Sequence, residues 1–174
     1  MDQYQKPSLI TILLILVLLI IVFYITGIQN NLTLLDNVNL LFHEAGHMVF
    51  GLIGIQFITV LGGTLLQLII PITVIFYFFS NSNSLGAQAG LFWLGENIVN
   101  VARYMADANV KLIPLIGDGH DWEYLLTQMN ILSSAETLGG ILRIIGVIIM
   151  IVVILRMGYQ IIWEIRLSKT KPVR

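Results

Sequence analysis

The chain contains no cysteine, which excludes disulfide staples and thiolate-held metals together. It is also poor in charge. Asp, Glu, Lys and Arg make up 11% of its 174 residues, against roughly 25% in ordinary globular chains. With 57% hydrophobic residues and a mean hydropathy of +0.88, too little polar surface exists to coat a water-soluble particle. Lipid must be the solvent for much of the chain. The formal net charge is −1 and no basic stripe is interleaved with aromatics, so nucleic acid is not an expected partner. Any metal would have to be held by His, Asp or Glu, and only three histidines are present.

What the chain has in abundance is uninterrupted apolar sequence. Ser8 to Ile28 holds no charge, and at about 1.5 Å per residue such a run crosses a hydrocarbon core roughly 30 Å thick. It reads as a retained helix rather than a cleaved signal, because only Lys6 precedes it and no A-x-A pattern follows. Further spans are expected at about 32–53, 64–79, 85–106 and 138–159. A polar loop over 107–137 should carry a short amphipathic helix at Trp122 to Leu132, and a basic tail follows with Arg166, Lys169, Lys171 and Arg174. Gly51, Gly54 and the β-branched run IQFITV place the end of the second helix near residue 53. A short extended or re-entrant stretch, Gln56 to Leu61, would then close on a turn at Gly62 and Gly63. The expected fold is an all-α membrane protein, one polytopic domain with about five transmembrane helices, in the cell or inner membrane. Nothing in the pattern specifies an oligomeric state.

The second span carries HEAGH, an instance of HExxH. On a helix, His43 and His47 lie one turn apart and share a face, so both imidazoles reach one ion. Glu44 points about 100° away, which suits a group that takes a proton from water rather than one that ligates. Ionisable residues inside a membrane segment cost on the order of 2.5–3.5 kcal/mol each, so their presence calls for a reason. The plainer alternative is a polar patch that joins helices through hydrogen bonds.

Two histidines leave a zinc ion short of at least one protein ligand. On the fourth span, Glu96, Asn100, Arg103 and Asp107 share one helical face, either as an intrahelical ion-pair ladder or with Asp107 as a ligand. The stretch GDGHDW adds Asp118, His120 and Asp121 as potential ligands, with Asp118 or Asp121 alternatively capping the helix that opens at DWEYLL. If the HEAGH helix ends near residue 53, the third span leaves that membrane face and the fourth returns to it. Asp107 and the Asp118 to Asp121 cluster then arrive beside the two histidines.

HEAGHMVFGLIGIQFITVLGG resembles the core of the site-2 protease family of intramembrane zinc metalloproteases, in which HExGH is followed by a glycine, an extended segment and a Gly-Gly turn. KLIPLIGDG is similar to the family's second motif, an Asn/Leu/Pro-rich stretch ending in Asp-Gly, and so implies Asp118 as third ligand. GENIVNVARYMADA with GHDW resembles a compact subgroup classed with that family, whose pattern centres on the Asp of YMADA, here Asp107, and on the HDW triplet. Two departures keep Asp107, His120 and Asp121 open beside Asp118. The spacing from Pro114 to Asp118 is a residue short of the family's, and Lys111 stands where the family has Asn. The resemblance implies Zn2+ as cofactor, Glu44 as general base, a membrane-protein or peptide substrate, and Asn97 or Asn100 as a substrate-orienting amide. The reading from a different class is a non-catalytic membrane scaffold that keeps a structural metal site.

Overall fold

Backbone N–H and C=O groups in an apolar solvent must be satisfied within their own segment, and helices do this locally. The computed structural model describes residues 8–29, 31, 33–113 and 119–170, with side chains through Arg166, and among these every regular element is helical. α1 (Leu9–Phe23) opens on Ser8, whose Oγ accepts the Thr11 N–H, and runs on through a π-helical turn at Tyr24–Ile28. α2 (Leu34–Gly51) carries HEAGH, α3 (Gln56–Ser80) follows it, and α4 (Ser84–Ala106) continues into a 3-10 turn at Asp107–Asn109. α5 (Asp121–Gln128) is short, and a second 3-10 turn, Leu132–Ser134, leads into α6 (Ala135–Thr170). Asp118, the Pro114 to Asp118 part of the second motif, Lys6, and the tail residues Lys171 and Arg174 lie outside the described residues, as does the Lys169 side chain.

Among the described residues, three segments are long and apolar enough to cross a membrane: Leu9–Ile28, Gln56–Ser80 and Leu132–Arg166. The expected extended stretch at Gln56 to Leu61 and the turn at Gly62 and Gly63 are instead the first turns of α3. These glycines bring two helices together rather than reversing the chain. A Cβ on Gly46 would stand 2.2 Å from the Gly62 carbonyl oxygen, and one on Gly62 would stand 2.5 Å from the Phe50 Cβ. Small residues that let backbones touch are the usual glue of helices in lipid. α2 and α3 therefore cross at backbone contact, directly beside the histidines.

α4 is fixed on α6 by the same device. A Cβ on Gly146 would meet the Gly95 carbonyl oxygen at 2.6 Å, and one on Gly139 the Ala102 carbonyl oxygen at 2.6 Å. Around this seam, Ile12, Leu19, Phe92, Val99, Met150, Val153, Met157 and Ile161 form one buried cluster joining α1, α4 and α6. A second cluster, with Val101, Met105, Trp122, Leu125 and Leu126, anchors α5 against the end of α4. The two clusters leave α4 as the central strut of the molecule.

Three polar residues of α2 face inward. Asp36, Asn39 and His43 are buried, while Leu34, Leu41, Met48 and Leu52 are exposed. Asp36 occupies the third position of α2 and accepts the Thr33 N–H, closing the helix start as a capping box does. Its other oxygen faces α4, where it accepts from Asn100 and, at 3.2 Å, from Arg103. Asn39 likewise spans to α4, donating to Glu96 at 2.8 Å and accepting from the Trp93 indole at 3.0 Å. α2 and α4 are tied by polar bridges, and a cavity opens between them.

Candidate metal centre

His43 and His47 stand one turn apart on α2, with ring centroids 4.8 Å apart and planes at 82°. Gly63 of α3 lies against both rings. A Cβ there would approach His43 Nε2 and His47 Nε2 to 2.7 Å each. Any larger residue at 63 would occupy the space in which the two nitrogens meet.

The far side of each ring is held by an acceptor. His47 Nδ1 lies 3.0 Å from the Thr59 carbonyl oxygen, so this nitrogen carries the proton. For His43 the same conclusion follows from a longer chain of bonds. Asp36 is a carboxylate, so Asn100 must present its NH2 to it and its Oδ1 to Gln67. Gln67 Nε2 donates to that Oδ1 at 2.9 Å, which leaves Gln67 Oε1 facing His43 Nδ1 at 3.2 Å. His43 Nδ1 is therefore the N–H. Both Nε2 atoms are lone pairs, oriented by the partner on the other side of the ring.

These two lone pairs meet a carboxylate oxygen. Asp121 Oδ2 lies 2.7 Å from His43 Nε2 and 3.1 Å from His47 Nε2. Asp121 is the first residue of α5, and its own N–H donates to the Tyr104 hydroxyl at 3.1 Å. Three acceptors aimed at one point repel one another unless a cation lies among them. Ligands at 2.0–2.1 Å in a tetrahedral site are about 3.3 Å apart. The 3.1 Å of the His47 pair approaches this, while the 2.7 Å of the His43 pair is that of a charge-assisted hydrogen bond and would widen around a metal. The donor set, two imidazoles and one carboxylate, suits zinc.

Glu44 belongs to the same neighbourhood, since His43, Glu44 and His47 offer ligand atoms all within 4.8 Å of one another. Asp121 Oδ2 stands 2.7 and 3.1 Å from the two nitrogens, so it fits as the third ligand. A cavity of about 450 Å³ opens here, lined by residues that include Asp36, Glu44, Gln67, Asn100, Arg103 and Tyr104. Side-chain exposure is 8% for His43 and 24% for His47, so the site is reached from the His47 side of the cavity.

Among the described residues, the remaining candidates have other occupations. Asp107 accepts the Leu112 and Ile113 N–H groups at 2.9 and 3.0 Å, closing the turn after α4. His120, rather than Asp121, caps α5: its Nδ1 accepts the Glu123 N–H at 3.3 Å. Its Nε2 faces Asp107 at 3.6 Å, away from HEAGH, and its burial holds its pKa below the ordinary value. Arg103 reaches across to Asp36 on α2, so this charge of α4 bridges two helices, where the sequence left an intrahelical ladder and a ligand role for Asp107 both open. Asn97 is buried, donates to the Trp93 carbonyl oxygen, and does not line the cavity; Asn100 does. Sequence reasoning passed over Gln67, Asp36 as its distant anchor, and Tyr104. A lone glutamine in an apolar span, one turn beyond Gly63, is the signal that marks the first of these.

No protein-family model, no curated protein and no solved structure matches this chain.

Proposed function

We propose that the chain is a zinc-dependent intramembrane endopeptidase, and the convergence of His43 Nε2, His47 Nε2 and Asp121 Oδ2 carries this reading. When bound there, zinc supplies Lewis acidity that polarises a carbonyl and acidifies water. The protein's own groups do the rest. Gln67 and the Thr59 carbonyl hold the imidazoles in the ligating tautomer, and the packing of Trp122, Leu125 and Leu126 against Val101 and Met105 docks α5 on α4 so that Asp121 faces them. Glu44 takes a proton from the attacking water and returns it to the leaving amine. The combination favours catalysis over a structural site, because structural zinc sites close with four protein ligands. Among the described residues three converge, a second carboxylate, Glu44, lies within 4.8 Å of the histidine ligand atoms, and a cavity adjoins.

The charge pattern supports five membrane crossings, with α2 and α4 joining the three apolar segments. At 18 and 23 residues, α2 and α4 span roughly 27 and 35 Å. Their ionisable groups turn toward one another, as Asp36 does with Arg103, while Leu34, Leu41, Met48 and Leu52 of α2 face outward. Such an arrangement buries charge in protein rather than in lipid. The substrate would be a membrane-protein segment or peptide drawn into the cavity between α2 and α4 in extended form, since a helix ties up its own carbonyls.

The test is Glu44→Gln in proteoliposomes with a reporter carrying a transmembrane segment. The variant should keep the zinc of the wild type and lose cleavage. Full cleavage by Glu44→Gln would overturn the mechanism.

A further inference from the structure

Tyr104 is not part of HEAGH and is not a metal ligand, yet its phenol stands at the site. It lies on α4 one turn beyond Asn100 and lines the same cavity. Its ring is fixed on two sides, edge-on to His43 with centroids 5.9 Å apart and stacked on His120 at 4.2 Å. Its oxygen accepts the Asp121 N–H at 3.1 Å. That bond uses a lone pair and leaves the phenol's proton, which is donated to no other described group. Of the other donors on the cavity wall, Gln67 Nε2 is engaged with Asn100, Asn100 Nδ2 with Asp36, and Arg103 with Asp36 and the Asn31 carbonyl, while the Thr64 hydroxyl, on α3, is also without a partner among the described residues.

We propose that Tyr104 is a catalytic residue of the peptidase, its O–H donating a hydrogen bond to the scissile carbonyl oxygen as that oxygen gains charge. The inference rests on the peptidase reading above. As water attacks, its oxygen bonds to the carbonyl carbon, one of its protons passes to Glu44, and the C=O π pair moves onto the carbonyl oxygen. Tyr104 hydrogen-bonds that oxygen and keeps its own proton. When the pair returns, the C–N bond breaks and the amine leaves with the proton held by Glu44. Water and peptide become acid and amine, and the phenol is unchanged. Because the Asp121 N–H fixes the phenol oxygen beforehand, the donor is oriented before charge develops, which is what makes such a bond effective.

Tyr104→Phe keeps the ring that packs on His43 and His120 and removes only the hydroxyl. In the full-length protein in proteoliposomes, zinc content should match wild type, KM should be unchanged, and kcat should fall about 10²–10³-fold, the range for losing one such donor. A second measurement needs no turnover. The cobalt-substituted protein is titrated with a Leu-Leu phosphinic dipeptide, whose charged oxygens mimic the tetrahedral state, and with 2-mercaptoethanol, which offers none. Monitored by visible absorption, the phosphinate should bind about 100-fold more weakly to Tyr104→Phe, with the thiol unaffected. Unchanged kcat, or unchanged phosphinate affinity, would overturn the proposal. So would loss of zinc from Tyr104→Phe, which would reduce the residue to a support for Asp121. If the wild type cleaves no peptide, the peptidase reading fails by itself, and the phosphinate comparison still decides whether Tyr104 is a donor.

Discussion

Asp121 Oδ2 lies 2.7 Å from His43 Nε2, although 78 residues of chain separate the two. The contact depends on two helix crossings. Gly46 against Gly62 sets the histidines on α3, and the seam of Gly95 and Gly146 sets α4, on whose Val101 and Met105 α5 docks. The candidate centre is thus a product of packing, with only its two histidines and Glu44 supplied locally.

The chain of bonds behind His43 should be measurable from the metal side. Gln67→Leu removes the acceptor that fixes the His43 tautomer while leaving all three proposed ligands in place. Metal affinity, read by competition with a chromogenic chelator, should fall about 10–100-fold, as it does when such supporting groups are lost. An unchanged affinity would show that the ring needs no such partner.

Gly63 should be intolerant of even one methyl group. In Gly63→Ala the new carbon would stand 2.7 Å from the Nε2 atoms of His43 and His47, so the rings must move or the helices must part. Zinc content should drop, whereas helical content by circular dichroism should persist. At Gly46 the obstacle is backbone, with a Cβ 2.2 Å from the Gly62 carbonyl oxygen. Gly46→Ala should therefore destabilise the protein by about 1–3 kcal/mol, read as a lower thermal midpoint in detergent.

The placing of His43, Glu44 and His47 on one helix was legible from the sequence, and the boundary of what was legible has a physical cause. HEAGH is readable because both ligand positions sit one turn apart on one helix, a relation that needs no tertiary information. Asp121 could not be separated from Asp107, Asp118 and His120, because the choice among them depends on where α5 docks on α4. Glycine explains the misreading of Gln56 to Gly63. A Gly-Gly pair serves a turn or a close helix crossing equally well, and only the neighbouring helix decides which. Tyr104 escaped notice since an isolated tyrosine on a helix carries no pattern of its own.

Acid should weaken the fold through His120. Burial lowers its pKa from the ordinary 6.5, against the pull of Asp107 and Asp121, so the unfolded chain takes up the proton first. The stability owed to the neutral ring is whole above about pH 6.5 and is lost as pH falls through the lower folded value. His120→Asn keeps a capping side chain on α5 without that titration. Thermal midpoints from about pH 7.5 to 5 should fall more steeply for the wild type than for His120→Asn. Parallel curves would remove His120 from the account.

The most direct measurement is metal content of the full-length protein purified side by side as wild type, Asp121→Asn and Asp107→Asn, after the same mild chelator challenge. Wild type and Asp107→Asn should retain stoichiometric zinc, and Asp121→Asn should retain none. Zinc kept by Asp121→Asn and lost from Asp107→Asn would contradict the assignment of Asp121 as the third ligand.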